Sequence, residues 1–115
     1  MNKVIIAGRL VKDPEMMSSK DGLIIAKMSI AFDRIVKGEK VSNFIDAVAF
    51  GRTAEQCKNF YKGKPLIFDA ELTQEQWEDS QGNRRQVHKL IVQRFSYMMT
   101  DKKQVPEMRD EDVVF

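Results

Sequence analysis

Hydrophobic and polar residues alternate with a period of two in one segment of this chain. In the segment 26–33, Ala, Met, Ile and Phe at the even positions are separated by Lys, Ser, Ala and Asp. That period is typical of a strand with one buried face. Runs rich in β-branched and aromatic residues at 3–10, 43–50, 66–77 and 86–98 predict further strands.

Turn signals separate these strands. The Asp-Gly at 21–22 and the Gln-Gly-Asn at 81–83 are typical of hairpins, because glycine adopts positive φ without a Cβ clash. The polar segment 36–42 predicts a loop. One helix is predicted over 53–62, since its apolar residues recur on one helical face and Gly63 stands at the C-cap position.

The predicted order of elements is three strands, one helix and two strands. Five strands with a single helix between the third and the fourth is the layout of an OB-fold, a Greek-key barrel. We therefore expect an all-β fold with one short helix. Residues 1–100 are predicted to form this single domain, and residues 101–115 to form a short flexible tail.

Composition narrows the class of protein. With 43% hydrophobic and 31% charged residues, the 115-residue chain is typical of a soluble globular domain. No apolar run approaches the roughly 20 residues that span a bilayer, and the N-terminal apolar stretch is too short for a signal peptide. The single cysteine, Cys57, excludes an internal disulfide. We therefore expect a cytoplasmic protein that does not associate with membranes.

Charge is divided unevenly along the chain. The formal net charge is +2, but residues 101–115 carry three basic and five acidic residues, which leaves the tail at −2 and residues 1–100 at +4. This division permits a polyanionic partner for the body and a basic partner for the tail. A charge of +4 is too small to establish nucleic-acid binding by itself.

The last six residues combine negative charge with an apolar end. They are Asp110, Glu111, Asp112, Val113, Val114 and Phe115. A phenyl ring is a common anchor in an apolar pocket, and the acids would steer it toward a basic rim. The segment therefore predicts a partner-binding tip, and a solvated acidic tail is the alternative.

Groups that carry catalysis or bind metal are sparse. His88 is the only histidine and lies in a predicted strand, and Cys57 lies on the apolar face of the predicted helix, where a core position is expected. Neither has a second His or Cys nearby to complete a zinc-ligand set. No glycine-rich phosphate loop precedes a helix. We therefore expect no catalytic residue, no metal and no cofactor.

Three aromatic residues are candidates for base stacking. Phe44 and Phe50 lie six positions apart in one predicted strand and so share a face. Trp77 ends a strand among polar neighbours, which argues against a core position. Aromatic rings stack on any base while cations neutralise phosphates, so these residues indicate a single-stranded nucleic acid as ligand. For Phe44 and Phe50 a place in the core is the alternative.

Basic residues are interleaved with the predicted strands and turns. The candidate phosphate contacts are Lys12, Arg34, Lys37, Arg52, Arg84 and Arg85. If phosphate contacts dominate binding, affinity should fall steeply with added salt. The alternative for each of them is an ordinary solvated position, because lysine and arginine are mostly exposed in proteins.

Four segments together resemble the bacterial and phage single-stranded DNA-binding protein family. They are NKVIIAGRL at 2–10, FIDAVAFGRTAE at 44–55, YKGK at 61–64 and WEDSQGNRR at 77–85. The resemblance covers 2–98, with a second match at the acidic tip. It implies an OB-fold homotetramer, or a dimer, over which single-stranded DNA is wrapped.

The resemblance also implies roles for individual residues. Phe44, Phe50 and Trp77 match the family's stacking positions, and a fourth falls near Ile35, whose aliphatic side chain would make a weaker contact. The tip would recruit replication, recombination and repair proteins. Two features differ from the family: the Thr-Gln-Glu-Gln at 73–76, where basic residues are common, and the near absence of a Gly/Pro/Gln-rich linker.

The expected function is sequence-independent coating of single-stranded DNA by a protein that is not an enzyme. Its place would be the bacterial cytoplasm, near the nucleoid, or the host cytoplasm for a phage-encoded protein. One rival is an OB-fold adaptor with weak DNA affinity that binds proteins; deleting residues 110–115 separates the two. A second rival, a small nuclease on a barrel fold, would need a metal-ligand cluster.

Overall fold

Strands make up most of the chain that the computed structural model describes, residues 1–98. They are β1 (Val4–Leu10), β2 (Glu15–Ser18), β3 (Ile24–Val36), β4 (Glu39–Phe50), β5 (Pro65–Glu78) and β6 (Arg84–Tyr97). Between β4 and β5 lie α1 (Gly51–Glu55) and a 3₁₀ turn (Gln56–Asn59). None of the helical segments in this part of the chain is long and apolar enough to cross a membrane. The predicted tail, 101–115, lies outside the described residues.

Five of these strands close into a barrel. Their order is β1-β5-β6-β4-β3, and β3 returns to β1 through the pairs Arg9–Ala31 and Leu10–Ile30. Neighbouring strands are antiparallel except β4 and β6, which run parallel. The short β2, which no sequence pattern predicted, adds an outer edge along the first part of β3. The closed barrel confirms the predicted all-β OB-fold with one short helix.

Side chains at alternate strand positions fill the barrel. In β3, Ala26, Met28 and Ile30 are buried, as the period of two predicts. Phe68 of β5 and Phe95 of β6 pack edge to face, with ring centroids 5.7 Å apart. Edge-to-face packing adds a specific aromatic attraction to the burial of apolar area. The barrel interior is therefore packed with apolar side chains.

The helix is shorter than the predicted 53–62. α1 ends at Glu55, a 3₁₀ turn follows, and the backbone becomes extended at Phe60 with φ −80° and ψ 155°. This change of direction brings the Phe60 ring to 5.1 Å from that of Phe95. Tertiary packing of this kind overrides local helix propensity. Cys57 is buried, as predicted, and burial raises the pKa of its thiol to about 12.

The predicted loop at 36–42 is a tight hairpin instead. β3 and β4 continue to a two-residue turn at Lys37 and Gly38, whose φ values are 52° and 81°. Positive φ at both central residues is the type I′ geometry that matches the twist of the strands. Residues 33–42, termed here the β3–β4 arm, project from the barrel with every residue exposed. Because both faces of the arm meet water, its largely polar sequence resembles that of a loop.

Candidate nucleic-acid interface

Phe44 and Phe50 lie on the outer face of β4 and not in the core. Phe44 is 65% exposed and Phe50 is 41% exposed. In the neighbouring strand β3, Ile35 pairs with Lys40 of β4. Lys40 and Phe44 are four residues apart in β4, so Ile35 lies on the same face as Phe44. Ile35 is also exposed. The three predicted stacking residues of β3 and β4 thus face one side of the sheet.

Trp77 lies on a second projecting hairpin, residues 74–88, termed the β5–β6 arm. Half of the Trp77 surface, 50%, is exposed. The arm continues the outer face of β4, because Lys89 pairs with Asp46 of β4 on one side and with Thr73 of β5 on the other. Trp77 lies four residues beyond Thr73 in β5, so its side chain leaves the strand on that same face. All the predicted stacking residues therefore share one outer face.

Asp79 holds the tip of the β5–β6 arm together. Its Oδ1 accepts hydrogen bonds from the backbone N–H groups of Gln81 at 3.0 Å and Asn83 at 2.8 Å. Its Oδ2 accepts a hydrogen bond from Nε of Arg85 at 2.9 Å. These bonds lower the pKa of the Asp79 carboxyl, with the backbone bond to Asn83 contributing most and Arg85 next. Since Trp77 pairs with Arg85 across the arm, the carboxylate also holds a cation beside the indole.

A groove crosses the outer face between the exposed rings. It is lined by the β1–β2 loop and by strands β2 to β6, and its charged residues are Lys12, Lys27, Lys89, Glu15, Asp46 and Glu75. Phe44 and Phe50 stand on either side of Asp46 and Val48, two lining residues of β4. Six strand residues span about 20 Å, which is the distance between the two rings along β4. Three lysines face three acids, so the groove is balanced in charge and not simply basic.

Three of the six predicted phosphate contacts lie near the groove or near one of the exposed rings. Lys12 lines the groove itself. Arg52 stands in α1, two residues after Phe50. Arg84 pairs with Glu78 and so leaves the β5–β6 arm on the face opposite to that of Trp77, although both residues line one hollow. The structure therefore brings these cations close to the exposed aromatic residues, as a ligand carrying both bases and phosphates would require.

The other three predicted phosphate contacts are placed differently. Arg85 lies opposite Trp77 on the same face, but its side chain forms an ion pair with Asp79. Lys37 occupies the turn at the end of the β3–β4 arm. Arg34 neighbours Ile35 in β3, so its side chain leaves the arm on the face turned away from the predicted stacking residues. The structure does not bring Arg34 together with the rings.

Two lysines of the groove are absent from the predicted phosphate contacts. Lys27 lies at an outward position of β3, and the alternation within 26–33 was the signal that pointed to it. Lys89 lies in the groove because β6 runs parallel to β4, a long-range pairing that no local pattern reveals. Its Nζ forms an ion pair with Glu75 at 2.5 Å. The exposed rings and these lysines together suit a flexible polyanion that carries aromatic groups.

Candidate metal ligands do not converge in the described part of the chain. Within residues 1–98, no group of three or more His, Cys, Asp and Glu side chains is placed to hold a metal ion. His88 is exposed on the β5–β6 arm. The predicted partner-binding tip, 110–115, lies outside the described residues.

Comparison with known proteins identifies the family. The profile described as the single-strand binding protein family matches residues 1–98. Relatives named single-stranded DNA-binding protein include those of Clostridium perfringens, 32% identical over 100 residues (85% of this chain, 66% of the relative), and Wolinella succinogenes, 34% over 108 residues (89% and 65%). That of Helicobacter pylori is 34% identical over 118 residues, covering 95% of this chain and 65% of the relative. The chain thus matches slightly less than two thirds of the length of these relatives, and by its profile match and its barrel it belongs to the single-strand binding protein family.

Proposed function

We propose that this protein binds single-stranded DNA without sequence preference and coats it. The observation that carries the proposal is the exposure of three aromatic rings, Phe44, Phe50 and Trp77, on one outer face around a groove that contains lysines. Stacking of a base on a ring contributes about 1–3 kcal/mol and tolerates any base. Ile35 extends this face with an apolar contact that lacks ring stacking. The names of the relatives support the same ligand.

Phosphate contacts are assigned first to Lys12, Arg52 and Arg84, because these cations lie near the groove or an exposed ring and form no ion pair with any residue of 1–98. Lys37 would meet the strand at the end of the β3–β4 arm. Of the remaining candidates, Arg34 would have to reach around the β3–β4 arm to meet the strand. Arg85 would have to exchange the Asp79 carboxylate for a phosphate. Each contact releases counterions, so the logarithm of the affinity should fall with the logarithm of salt by about 0.7 per phosphate.

Intrinsic fluorescence tests the proposal directly, because Trp77 is the only tryptophan of the chain. Titration with oligo(dT) at low salt should quench its emission and saturate at a fixed number of nucleotides per protomer. High salt should weaken binding. If neither quenching nor a mobility shift of a labelled strand occurs, DNA coating is rejected, and an adaptor that binds only proteins becomes the better reading.

Assembly into a homotetramer, or a dimer, is part of the proposal. Within the described residues, β1 pairs along its length with β5 but meets β3 only at Arg9 and Leu10. Its remaining edge is therefore open, and Ile5 on this strand is 64% exposed. An open edge is a ready site for pairing with a second chain. Native mass spectrometry should show a tetramer or dimer. A monomer at micromolar concentration would reject the proposed assembly.

The acidic tip is proposed to recruit replication, recombination and repair proteins, with residues 1–100 as the DNA-binding domain and 101–115 as its tail. Support comes from the sequence of the tip, three acids followed by two valines and Phe115. Deleting residues 110–115 should leave the affinity for oligo(dT) nearly unchanged and abolish capture of such partners. Loss of DNA binding on deletion would reject this division of labour.

As a member of the single-strand binding protein family, the protein is a binding protein and not an enzyme. In the proposed role it protects exposed single strands during replication, recombination and repair. Its place would be the cytoplasm of a bacterial cell, where such strands arise, whether the chain is cellular or phage-encoded.

A further inference from the structure

The balanced charge of the groove has one specific contributor, the ion pair between Glu75 and Lys89. Nζ of Lys89 lies 2.5 Å from Oε1 of Glu75. Glu75 pairs with Val87 and Lys89 pairs with Thr73, so the two are diagonal neighbours on the same face of β5 and β6. Both side chains line the groove. The contact is therefore part of the proposed binding surface.

Lys89 differs in this respect from the two other lysines of the groove. Lys12 and Lys27 form no ion pair with any residue of 1–98, whereas Lys89 does. The Glu75 side chain is 53% exposed and that of Lys89 is 27% exposed, so the acid lies nearer the solvent. Glu75 also stands two residues from Trp77 in β5, between the indole and the groove. A strand that stacks on Trp77 and enters the groove must pass this carboxylate.

We propose that Glu75 limits the affinity for single-stranded DNA by neutralising Lys89. The inference rests on the proposed function of the same surface. In the free protein the charge of Lys89 is compensated, and a phosphate can bind it only by displacing the carboxylate, which then remains as a negative charge beside the DNA. Because exposed ion pairs contribute little to folding, the pair has little effect on stability. Glu75 is thus a positioning residue that acts through Lys89 and eases release of the strand.

Salt-dependent titration of the full chain with oligo(dT) tests this. Glu75→Gln frees Lys89 for one more phosphate, so the slope of log affinity against log salt should become steeper by about 0.7. The ratio of variant to wild-type affinity should then rise about fivefold when salt is lowered from about 0.5 M to about 0.05 M. Glu71→Gln is the matched control: it removes the same charge from the same strand outside the groove, and its amide oxygen can still accept the bond from Nε2 of Gln93 that Glu71 accepts at 2.6 Å. Its slope should equal that of the wild type.

The same titration in a Lys89→Gln background separates neutralisation of Lys89 from simple repulsion of DNA. Without Lys89, Glu75→Gln should no longer steepen the salt slope. Equal steepening with and without Lys89, or no steepening in either background, overturns the inference. If the wild type binds oligo(dT) and Glu75→Gln is indistinguishable from it, only this inference fails. If neither protein binds at low salt, the proposed function fails and the inference fails with it.

Discussion

Trp77 and Arg85 lie directly opposite each other across the β5–β6 arm, with Nε of Arg85 held 2.9 Å from Asp79. An exposed ring and a cation thus leave the arm on one face at neighbouring positions. A nucleotide stacked on the indole would bring its phosphate near the guanidinium, which could bind that phosphate only by exchanging the Asp79 carboxylate for it. The arm places the proposed stacking residue, and Asp79 holds the tip of the arm together.

Replacing Trp77 by alanine should weaken oligo(dT) binding by about 1–3 kcal/mol, because one stacking contact is lost. The salt slope should stay unchanged, since no cation is removed. Anisotropy of a labelled oligonucleotide at two salt concentrations measures both quantities. Trp77→Phe, which keeps a ring, should recover part of the affinity. Wild-type affinity in Trp77→Ala would rule out stacking at this position.

Phe44 and Phe68 should respond oppositely to truncation. Phe68 is fully buried, so Phe68→Ala should lower the free energy of unfolding by about 3–5 kcal/mol. Phe44 is 65% exposed, so Phe44→Ala should leave that free energy within about 1 kcal/mol and instead weaken DNA binding. Urea unfolding and oligo(dT) titration of both variants check the contrast. A large loss of stability in Phe44→Ala would place its ring in a packed site.

Acid should remove the contribution of Asp79 to stability. Its folded pKa lies below the ordinary value of 3.8, chiefly because of the backbone bond from Asn83. A carboxyl of this kind stabilises the fold above its ordinary pKa, and the contribution is lost as pH falls through the lowered folded pKa. Asp79→Asn should therefore lower the thermal midpoint at neutral pH and differ less from the wild type in acid.

Thermal unfolding at neutral and at acid pH measures this difference. Ser80→Ala, a neighbour in the same turn that does not titrate, should follow the pH dependence of the wild type. An Asp79→Asn protein that is destabilised equally at every pH would contradict the linkage.

Gly8→Ala should weaken the contact between β1 and β3 and so lower the stability of the barrel. A Cβ at Gly8 would lie 2.4 Å from the carbonyl oxygen of Ala31, a backbone atom that cannot rotate away. Forcing extra volume into a packed site costs about 1–3 kcal/mol, and urea unfolding should show a loss in that range. Ala7→Ser, on an exposed neighbour in the same strand, should stay within about 0.5 kcal/mol of the wild type. If Gly8→Ala unfolds at the same urea concentration as the wild type, β1 and β3 must be able to move apart and accept the added methyl group.

Local pattern was sufficient where one face of a strand meets the core. The period of two in 26–33 predicts which side chains of β3 are buried, because the pleat alone sends alternate residues to opposite faces. The polar neighbours of Trp77 predict its exposure for a different reason, because both faces of the strand meet water at 74–78. The pattern fails at 36–42, since both faces of the β3–β4 arm meet water and no apolar face marks the strands.

The all-β fold class and the shared face of Phe44 and Phe50 were thus determined by the sequence alone. The fold class follows from the order of the predicted elements, and the shared face depends only on spacing along one strand. Which charged side chains lie around those rings was decided by the tertiary structure. Lys89 comes beside β4, and Arg85 comes onto Asp79, only through strand pairing and a folded turn. Which cation is free to face a phosphate and which is already neutralised therefore depends on contacts across paired strands and turns, and spacing along one strand does not reveal these contacts.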